Sequence, residues 1–178
     1  MPVDPPETSY AVLGLVDKKP GASGHELARL AERSLAYFWP ISRTLLYREI
    51  RRLEERGWVR GTEVRQERLP DRRSYTITAE GARVLSAWLE RPGTGSNQFR
   101  SEFLLRFFFS ASMSGEAMKE LLADYRRALH TTVEELSAVA DRLASVPGAR
   151  TSRLAALHGV RTAQARLGWL DEVEAELP

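Results

Sequence analysis

The feature that most constrains the fold is a segment spanning residues 24–78, whose pattern predicts a helix, a turn, a second helix and a hairpin. The second helix is predicted over about 42–56, because apolar residues recur at helical spacing, at Leu46, Ile50 and Leu53. One stripe of this helix therefore faces a core. Its opposite side is polar and rich in arginine, so the segment presents a charged helix face to solvent.

A shorter helix precedes this one. Ser23 and Glu26 have the spacing of a capping box, in which each side chain accepts a hydrogen bond from the other residue's backbone N–H. Apolar residues then recur at helical spacing: Leu27, Leu30, Ala31 and Leu35. Phe38-Trp39-Pro40 is expected to end the helix and turn the chain. An earlier apolar run, Thr8–Val16, predicts one more short, buried helix.

A two-stranded hairpin is expected after the second helix. β-Branched and aromatic residues in 58–66 and 74–78 flank a turn at 69–73 that contains Pro and Asp. The tip of this hairpin is expected to carry Arg68, Arg72 and Arg73. Thr78 is predicted to cap a further helix over 79–91, with one apolar face formed by Val84, Leu85, Trp88 and Leu89.

The polar face of the second helix carries side chains that hydrogen-bond to base edges and phosphates, and a helix so presented fits the DNA major groove. Candidate DNA-binding residues are Ser42, Arg43, Thr44, Tyr47, Arg48 and Arg51 on this helix, and Arg68, Arg72 and Arg73 on the hairpin. Ser42 and Thr44 lie at the helix N-terminus, where backbone amides attract phosphate. Tyr47 could instead pack against the preceding helix, and Arg52 is expected to pair with a nearby glutamate.

Charge is concentrated in the same place. The whole chain has a net charge of +2, whereas residues 41–73 hold 10 arginines against 6 acidic residues, a local net charge of +4. A localised basic patch is typical of a nucleic-acid-binding surface. The alternative for the helix face and for the hairpin arginines is an ordinary solvated surface.

The second half is predicted to be helical throughout. Residues 99–113 contain several phenylalanines and predict a buried helix; Ser114 is expected to cap a long helix that ends near Pro147, and a second long helix follows over 152–177. Extended apolar stripes on two such helices favour bundle or coiled-coil packing. The predicted organisation is a mainly α, α+β chain with a DNA-binding domain over 1–92, a linker at 93–96 and a helical domain over 97–178.

The sequence contains no set of residues that matches a known catalytic motif. The chain has no cysteine, its histidines (25, 130 and 158) have no partner at metal-ligand spacing, and neither a nucleophile elbow nor a phosphate-binding loop is present. We therefore expect no catalytic residues, no metal and no cofactor. No apolar run approaches the roughly 20 residues that cross a membrane, and the N-terminus does not read as a signal peptide. A cytoplasmic location is the simplest expectation.

The chain resembles the PadR family of bacterial transcriptional regulators. The matching pieces occur in order along nearly the whole chain: Gly24-His25-Glu26-Leu27, residues 38–59 from Phe-Trp-Pro-Ile-Ser-Arg to Glu-Arg-Gly-Trp-Val, Tyr75-Thr76-Ile77-Thr78-Ala79-Glu80-Gly81 and Arg100-Ser101-Glu102-Phe103-Leu104-Leu105-Arg106-Phe107-Phe108. One departure is His25, where the family often has Tyr. The resemblance implies an N-terminal winged helix-turn-helix and a C-terminal dimerisation region of long helices.

The resemblance further implies a homodimeric repressor of transcription that binds a pseudo-palindromic operator in double-stranded DNA. Binding of a small hydrophobic or aromatic effector would release the repressor from this DNA. Trp88, Phe103, Phe107 and Trp169 are the candidate effector-binding residues. These aromatics could equally be core and dimer interface. The rival function is a winged-helix protein-interaction or sensor module that does not bind specific DNA sequences; the basic helix and hairpin argue against it.

Overall fold

The computed structural model of the chain describes residues 5–64, 72–92 and 101–177. The backbone divides into two compact units, Met1–Gly95 and Ser96–Pro178. Each unit has a hydrophobic core of its own. The assignment of DNA binding to the first unit and dimerisation to the second stays a prediction at this point.

The described part of the first unit consists of four α-helices and a three-stranded antiparallel sheet. In chain order the elements are α1 (Glu7–Lys18), β1 (Ala22–Ser23), α2 (Gly24–Ser34), α3 (Arg43–Glu55), β2 (Val59–Val64), β3 (Arg72–Ile77) and α4 (Ala79–Leu89). Strand β3 lies between β1 and β2 and is antiparallel to both. The succession confirms the predicted order of helix, turn, helix, hairpin and helix.

Local side-chain chemistry sets the helix boundaries. The capping box of α2 is formed as predicted: Glu26 accepts from the Ser23 N–H at 2.8 Å, while the Ser23 hydroxyl accepts from the Glu26 N–H. The Ser42 hydroxyl caps α3, and the Thr78 hydroxyl caps α4. Gly57 follows α3 with φ +71°, a left-handed conformation that favours glycine and ends the helix where it was predicted to end.

The core of the first unit confirms the apolar stripe of α3. Leu46, Ile50 and Leu53 are fully buried against α1, α2 and the sheet. The cluster of buried residues comprises Val12, Leu13, Leu15, Val16, Ala22, Leu27, Ala28, Ala31, Leu46, Ile50, Leu53, Val59 and Leu85. Helix α3 is therefore held from behind by apolar packing, which leaves its polar face outward.

Three expectations about the first unit were wrong in detail. The hairpin gains a third strand, β1, which pairs with β3 through Ala22 and Tyr75. Helix α2 ends at Ser34 rather than at 38–40, because the chain turns there: the Phe38 and Trp39 N–H groups donate to the Leu35 carbonyl. Leu89, predicted on the apolar face of α4, is 67% exposed at the last turn of that helix.

The described part of the second unit is helical. It contains α5 (Glu102–Phe108), a 3₁₀ turn (Ser110–Ser112), α6 (Gly115–Ala144) and α7 (Arg150–Glu176). Helices α6 and α7 run antiparallel along each other, since Arg126 near one end pairs with Asp171 and Glu174, and Gly159 faces Leu136 further along. This confirms the two predicted long helices, which pack against each other as an antiparallel pair.

The predicted buried helix over 99–113 was wrong in extent and in burial. Helix α5 ends at Phe108, and Ser110–Ser112 forms the 3₁₀ turn. Phe103 is buried, but Phe108 is 79% and Phe109 68% exposed. A run of apolar residues longer than the helix that it occupies cannot turn every ring toward one core. The predicted linker at 93–96 lies outside the described residues.

None of the helices in the described ranges combines the length and the apolar character required to span a membrane.

Candidate nucleic-acid interface

Along the outward face of α3 runs a shallow, open groove between side chains of this one helix. Its walls are Thr44, Tyr47, Arg48, Arg51, Arg52 and Glu55. Thr44, Arg48 and Arg51 are exposed, and the Arg48 side chain retains 67% of its accessible surface. Ser42 is exposed at the start of the helix, where its hydroxyl is used to cap the Leu45 N–H at 3.2 Å. The structure thus brings four of the six predicted helix residues together on one surface, namely Thr44, Tyr47, Arg48 and Arg51, while Ser42 and Arg43 lie outside it at the start of the helix.

Tyr47 both packs and faces outward. Its side chain lies against Gly24, the first residue of α2, so closely that a Cβ atom on Gly24 would overlap the Tyr47 ring. The residue nevertheless remains 40% exposed. The packing alternative is therefore correct for one part of the ring, while the rest of the side chain stays on the groove surface. Gly24 has a role here that the sequence did not indicate.

Arg43 is held by the preceding helix. Its Nε donates to Glu32 Oε1 at 2.8 Å, which joins the start of α3 to α2. The hydrogen bond from Arg43 lowers the pKa of the Glu32 carboxyl, and the same bond raises the pKa of the Arg43 guanidinium. Both side chains are exposed, at 59% for Arg43 and 47% for Glu32. The guanidinium is oriented by a partner that lies eleven residues away in the chain.

Arg72 and Arg73 lie on strand β3 rather than at the tip of the hairpin, because the strand begins at Arg72. Their guanidinium groups are paired with carboxylates of the helix-turn-helix. Arg72 Nη1 lies 3.3 Å from Glu26 Oε2 on α2, and Arg73 Nη2 lies 2.5 Å from Glu54 Oε1 on α3. Arg68 lies outside the described residues, so its position at the tip stays a prediction.

Glu54 connects α3 to the hairpin. Besides Arg73, its Oε1 accepts from the Gly61 N–H of β2 at 3.1 Å. A Cβ on Gly61 would lie 2.6 Å from this oxygen, so only a glycine leaves room for the contact. The hydrogen bond to Glu54 also raises the pKa of Arg73. The hairpin is thereby fixed at a defined angle to the helix that it flanks.

A buried carboxylate holds α3 from behind. Glu49 is 1% exposed and accepts from the Ser9 hydroxyl of α1 at 2.7 Å. Arg52 donates to it at 3.1 Å, which confirms the expectation that Arg52 pairs with a glutamate on its own helix. Burial of a charged group is tolerated where it is paired and hydrogen-bonded. Glu49 was not singled out in the sequence, since it occurs within an Arg-Glu run typical of a solvated helix face.

The aromatic residues considered for an effector fall into the two units. Trp88 belongs to the first unit, where its ring stacks on Tyr10 with centroids 4.9 Å apart. In the second unit the edge of Trp169 meets both Phe103 and Phe107, at 6.1 and 5.6 Å between centroids. Phe103 also stacks on Tyr125 at 3.8 Å, a residue that the sequence did not single out. Phe103, Phe107 and Trp169 are thus part of one aromatic cluster.

Three carboxylates of the interface were missed by the sequence reasoning: Glu26, Glu32 and Glu54. Glu26 was identified as a capping residue but not as the partner of Arg72, 46 residues away. Such pairs carry no local spacing signal, because they depend on how α2, α3 and β3 meet. Over the described ranges, no group of His, Asp and Glu side chains has the arrangement of a metal site.

This geometry defines a class of protein. A helix with an exposed arginine face, presented by a preceding helix and flanked by a strand hairpin, is a winged helix-turn-helix. A family model described as "Transcriptional regulator PadR-like family" matches residues 12–87, and one described as "Virulence activator alpha C-term" matches residues 99–178. A probable transcriptional regulator of Mycobacterium tuberculosis, Rv1176c, is 32% identical over 176 residues, covering 88% of this chain and 90% of the relative.

The chain belongs to the PadR-like family of transcriptional regulators. Bacillus subtilis PadR, described as a negative transcriptional regulator, is 25% identical over 134 residues, covering 75% of this chain and 73% of that protein. The crystal structure of Bacillus subtilis PadR in complex with operator DNA has a TM-score of 0.85 at 22% identity, covering 98% of this chain and all of that one. Its complex with p-coumaric acid has a TM-score of 0.74 at 23% identity, covering 94% and 96%.

Proposed function

We propose that this transcriptional regulator is a homodimeric, cytoplasmic repressor that binds a pseudo-palindromic operator through α3 and the hairpin and is released by a small hydrophobic or aromatic effector. The observation that carries the proposal is the exposed face of α3. Thr44, Tyr47, Arg48 and Arg51 share one open groove there, on a helix whose other side is fully buried. Bacillus subtilis PadR, described as a negative transcriptional regulator, supports the direction of regulation.

The groove surface has the chemistry that DNA recognition needs. Arginine donates in pairs to guanine O6 and N7 in the major groove, or to phosphate oxygens. Arg48 is well placed for this, since its side chain is 67% exposed near the middle of α3. Tyr47 and Thr44 supply hydroxyl groups for phosphates, beside the N-terminus of the helix. The hairpin, tied to α3 through Glu54, supplies a second contact at a fixed angle.

Exposed aromatic residues support the dimer. Phe108 and Phe109 pack edge to face against each other and remain largely open to solvent, with Leu105 of the same helix 60% exposed. Large exposed apolar patches are typical of protein–protein interaction sites. Two copies related by a two-fold axis would place their α3 helices in successive major grooves, about 34–36 Å apart. The operator should accordingly be an inverted repeat.

An aromatic effector is proposed to act through the second unit. Bacillus subtilis PadR was crystallised with p-coumaric acid, a planar aromatic compound. The aromatic cluster of Phe103, Phe107 and Trp169 offers faces and edges of the kind that such a ring contacts. The part played by Trp88 stays a prediction. Quenching of tryptophan fluorescence by planar aromatic acids, lost in Phe107→Ala, is the expected result; an unchanged spectrum across such compounds would contradict the proposal.

DNA binding through α3 is tested by fluorescence anisotropy with labelled duplex DNA. The variant is Arg48→Ala combined with Arg51→Ala, which removes two cations from the groove. The control is Arg83→Ala together with Arg142→Ala, two exposed arginines outside that groove and outside the basic segment 41–73, so the change in net charge is the same. We expect the groove variant to lose most of its affinity while the control retains it. Equal loss in both would show that net charge alone attracts the DNA and would favour the protein-interaction module.

A further inference from the structure

Three ion pairs close a triangle among the elements of the interface that the structure describes. One joins α2 to α3, one joins α3 to β3 and one joins α2 to β3: Glu32 with Arg43, Glu54 with Arg73 and Glu26 with Arg72. The pairs differ in which guanidinium nitrogen they use. Arg72 and Arg73 offer a terminal nitrogen, whereas Arg43 offers Nε.

The use of Nε matters for base recognition. A guanidinium recognises guanine with two N–H groups that point in the same direction, so its plane has to be fixed. Arg43 donates to Glu32 through Nε, at 2.8 Å, and its two terminal nitrogens, Nη1 and Nη2, take no part in this hydrogen bond. The Arg43 side chain is 59% exposed at the N-terminal end of α3, the end of a recognition helix that contacts base edges.

We propose that Glu32 is a specificity-determining positioning residue: it fixes the plane of the Arg43 guanidinium so that its two terminal nitrogens face a base edge. This role rests on the proposed DNA-binding function. Glu32 itself is an exposed anion, so its charge repels the phosphates of any duplex and weakens binding to all of them alike. Only where Arg43 contacts its base does the positioning by Glu32 strengthen binding enough to offset this repulsion. Glu32 therefore increases the difference in affinity between the operator and other DNA.

A carboxylate that merely neutralised charge would behave differently. Its removal would raise affinity for every duplex by the same factor. A carboxylate that only held α2 against α3 would, on removal, lower stability together with all binding. The positioning role predicts opposite changes: weaker binding to the selected sequence and equal or stronger binding to a random one.

The test is a double-mutant cycle of Glu32→Gln and Arg43→Ala. Affinity is measured on the duplex that the wild-type protein enriches most from a random pool, and on a random duplex of equal length. Glu80→Gln is the matched control, because Glu80 is also paired with an arginine, Arg83, and its side chain has the same 47% exposure as Glu32. Circular dichroism of each variant checks that the fold is retained.

We expect Glu32→Gln to reduce the ratio of selected to random affinity by about two- to fivefold, the effect of an exposed ion pair. It should have no further effect on that ratio once Arg43 is alanine. Glu80→Gln should leave the ratio unchanged. An unchanged ratio in Glu32→Gln, or an equal reduction with and without Arg43, would overturn the positioning role while leaving the proposed function intact.

A measurement without DNA tests the same contact. In a ¹⁵N spectrum of arginine side chains, the Arg43 Nε–H should exchange more slowly with water in the wild type than in Glu32→Gln. Equally fast exchange in both proteins would overturn the inference whatever the DNA results. If the wild-type protein enriches no duplex from the pool, the proposed function fails and the role of Glu32 fails with it, even where the Nε–H is protected.

Discussion

The charged face of α3 in the first unit lies over a buried apolar stripe, whereas the end of α5 in the second unit leaves aromatic rings open to solvent. Leu46, Ile50 and Leu53 are fully enclosed behind a surface of arginines. In the second unit Phe108 and Phe109 are mostly exposed, while Arg126 is satisfied by Asp171 and Glu174. The chemistry of an exposed surface indicates which kind of partner binds it. A basic surface is suited to a polyanion, and exposed aromatic rings are suited to another apolar surface.

Ion pairs with carboxylates also hold several arginines of the charged surface, whereas the exposed aromatic rings of the second unit contact each other. Carboxylates of α2 and α3 hold the interface arginines at 2.5 to 3.3 Å. DNA can therefore meet side chains that are already directed, whereas Phe108 and Phe109 contact each other on a short helix and its end. Preorganisation favours discrimination between sequences. A broad apolar patch favours association with less demand on geometry.

The largest effect is expected from the core behind the charged face. Leu46→Ala removes a fully buried side chain that holds α3 in place, and should lower the free energy of unfolding by about 2–5 kcal/mol. The measurement is urea unfolding followed by circular dichroism. Leu154→Ala, at a half-exposed position of α7, should change stability by about 0.5 kcal/mol or less. Equal losses would contradict the packing described for α3.

The charged face itself is tested by Arg48→Ala. If Arg48 reads a base, the substitution should weaken binding to the selected duplex by about 1–3 kcal/mol and relax the preference at one base position. Anisotropy titrations on selected and random duplexes measure both effects. Equal loss of affinity for the two duplexes would mean that Arg48 contacts phosphate. Base recognition would then be left to Arg43 and Arg51.

The aromatic face is tested by Phe108→Ser. Because this ring is 79% exposed in the single chain, its removal should leave the fold intact and raise the dissociation constant of the dimer at least about tenfold, as expected of an aromatic anchor. Sedimentation equilibrium measures the constant. Leu89→Ser, which replaces an exposed apolar residue of the first unit, is the control. An unchanged dimer would remove Phe108 from the interface.

The smallest effect concerns pH. Hydrogen bonds from the backbone and hydroxyl of Ser23, and then from Lys19, lower the pKa of Glu26 to about 2. A carboxyl whose pKa is lower in the folded state stabilises the fold above its unfolded value of about 4.5 and loses that contribution as pH falls toward 2. Thermal unfolding between pH 5 and pH 2 should therefore show a slightly shallower decline in Glu26→Gln than in the wild type.

The control for this experiment is Glu116→Gln, which removes a first-turn glutamate from α6 in the second unit. It should follow the wild-type decline. If thermal stability fell with pH equally in Glu26→Gln and in the wild type, the capping box would not stabilise the ionised carboxylate of Glu26 in the folded state.

Local signals account for what the sequence could predict. Ser23 and Glu26, three residues apart, carry the capping box in their own spacing, and Gly57 marks the end of α3 without reference to the rest of the fold. The polar face of α3 follows from the period of Leu46, Ile50 and Leu53, since whatever lies opposite a buried stripe must face outward. These signals fixed the order of elements and most candidate residues on α3.

The remaining features depend on contacts between distant segments. Strand β1 has two residues, too short for any periodic pattern, and exists because β3 pairs with it. The partners of Arg43, Arg72 and Arg73 lie 11 to 46 residues away and follow from how the elements pack. The burial predicted for the apolar run was wrong for Phe108 and Phe109, because a sequence does not state whether the surface that covers such a run belongs to the same chain.

The proposed dimer recognises a specific DNA sequence through two copies of the charged face, related by a two-fold axis. The most direct test is to select bound sequences from random duplex DNA at about 150 mM salt, where nonspecific contacts are weakened. We expect enrichment of an inverted repeat whose half-sites lie about one helical turn, or a multiple of it, apart. Binding that is sensitive to salt but enriches no sequence, or the absence of binding, would contradict it.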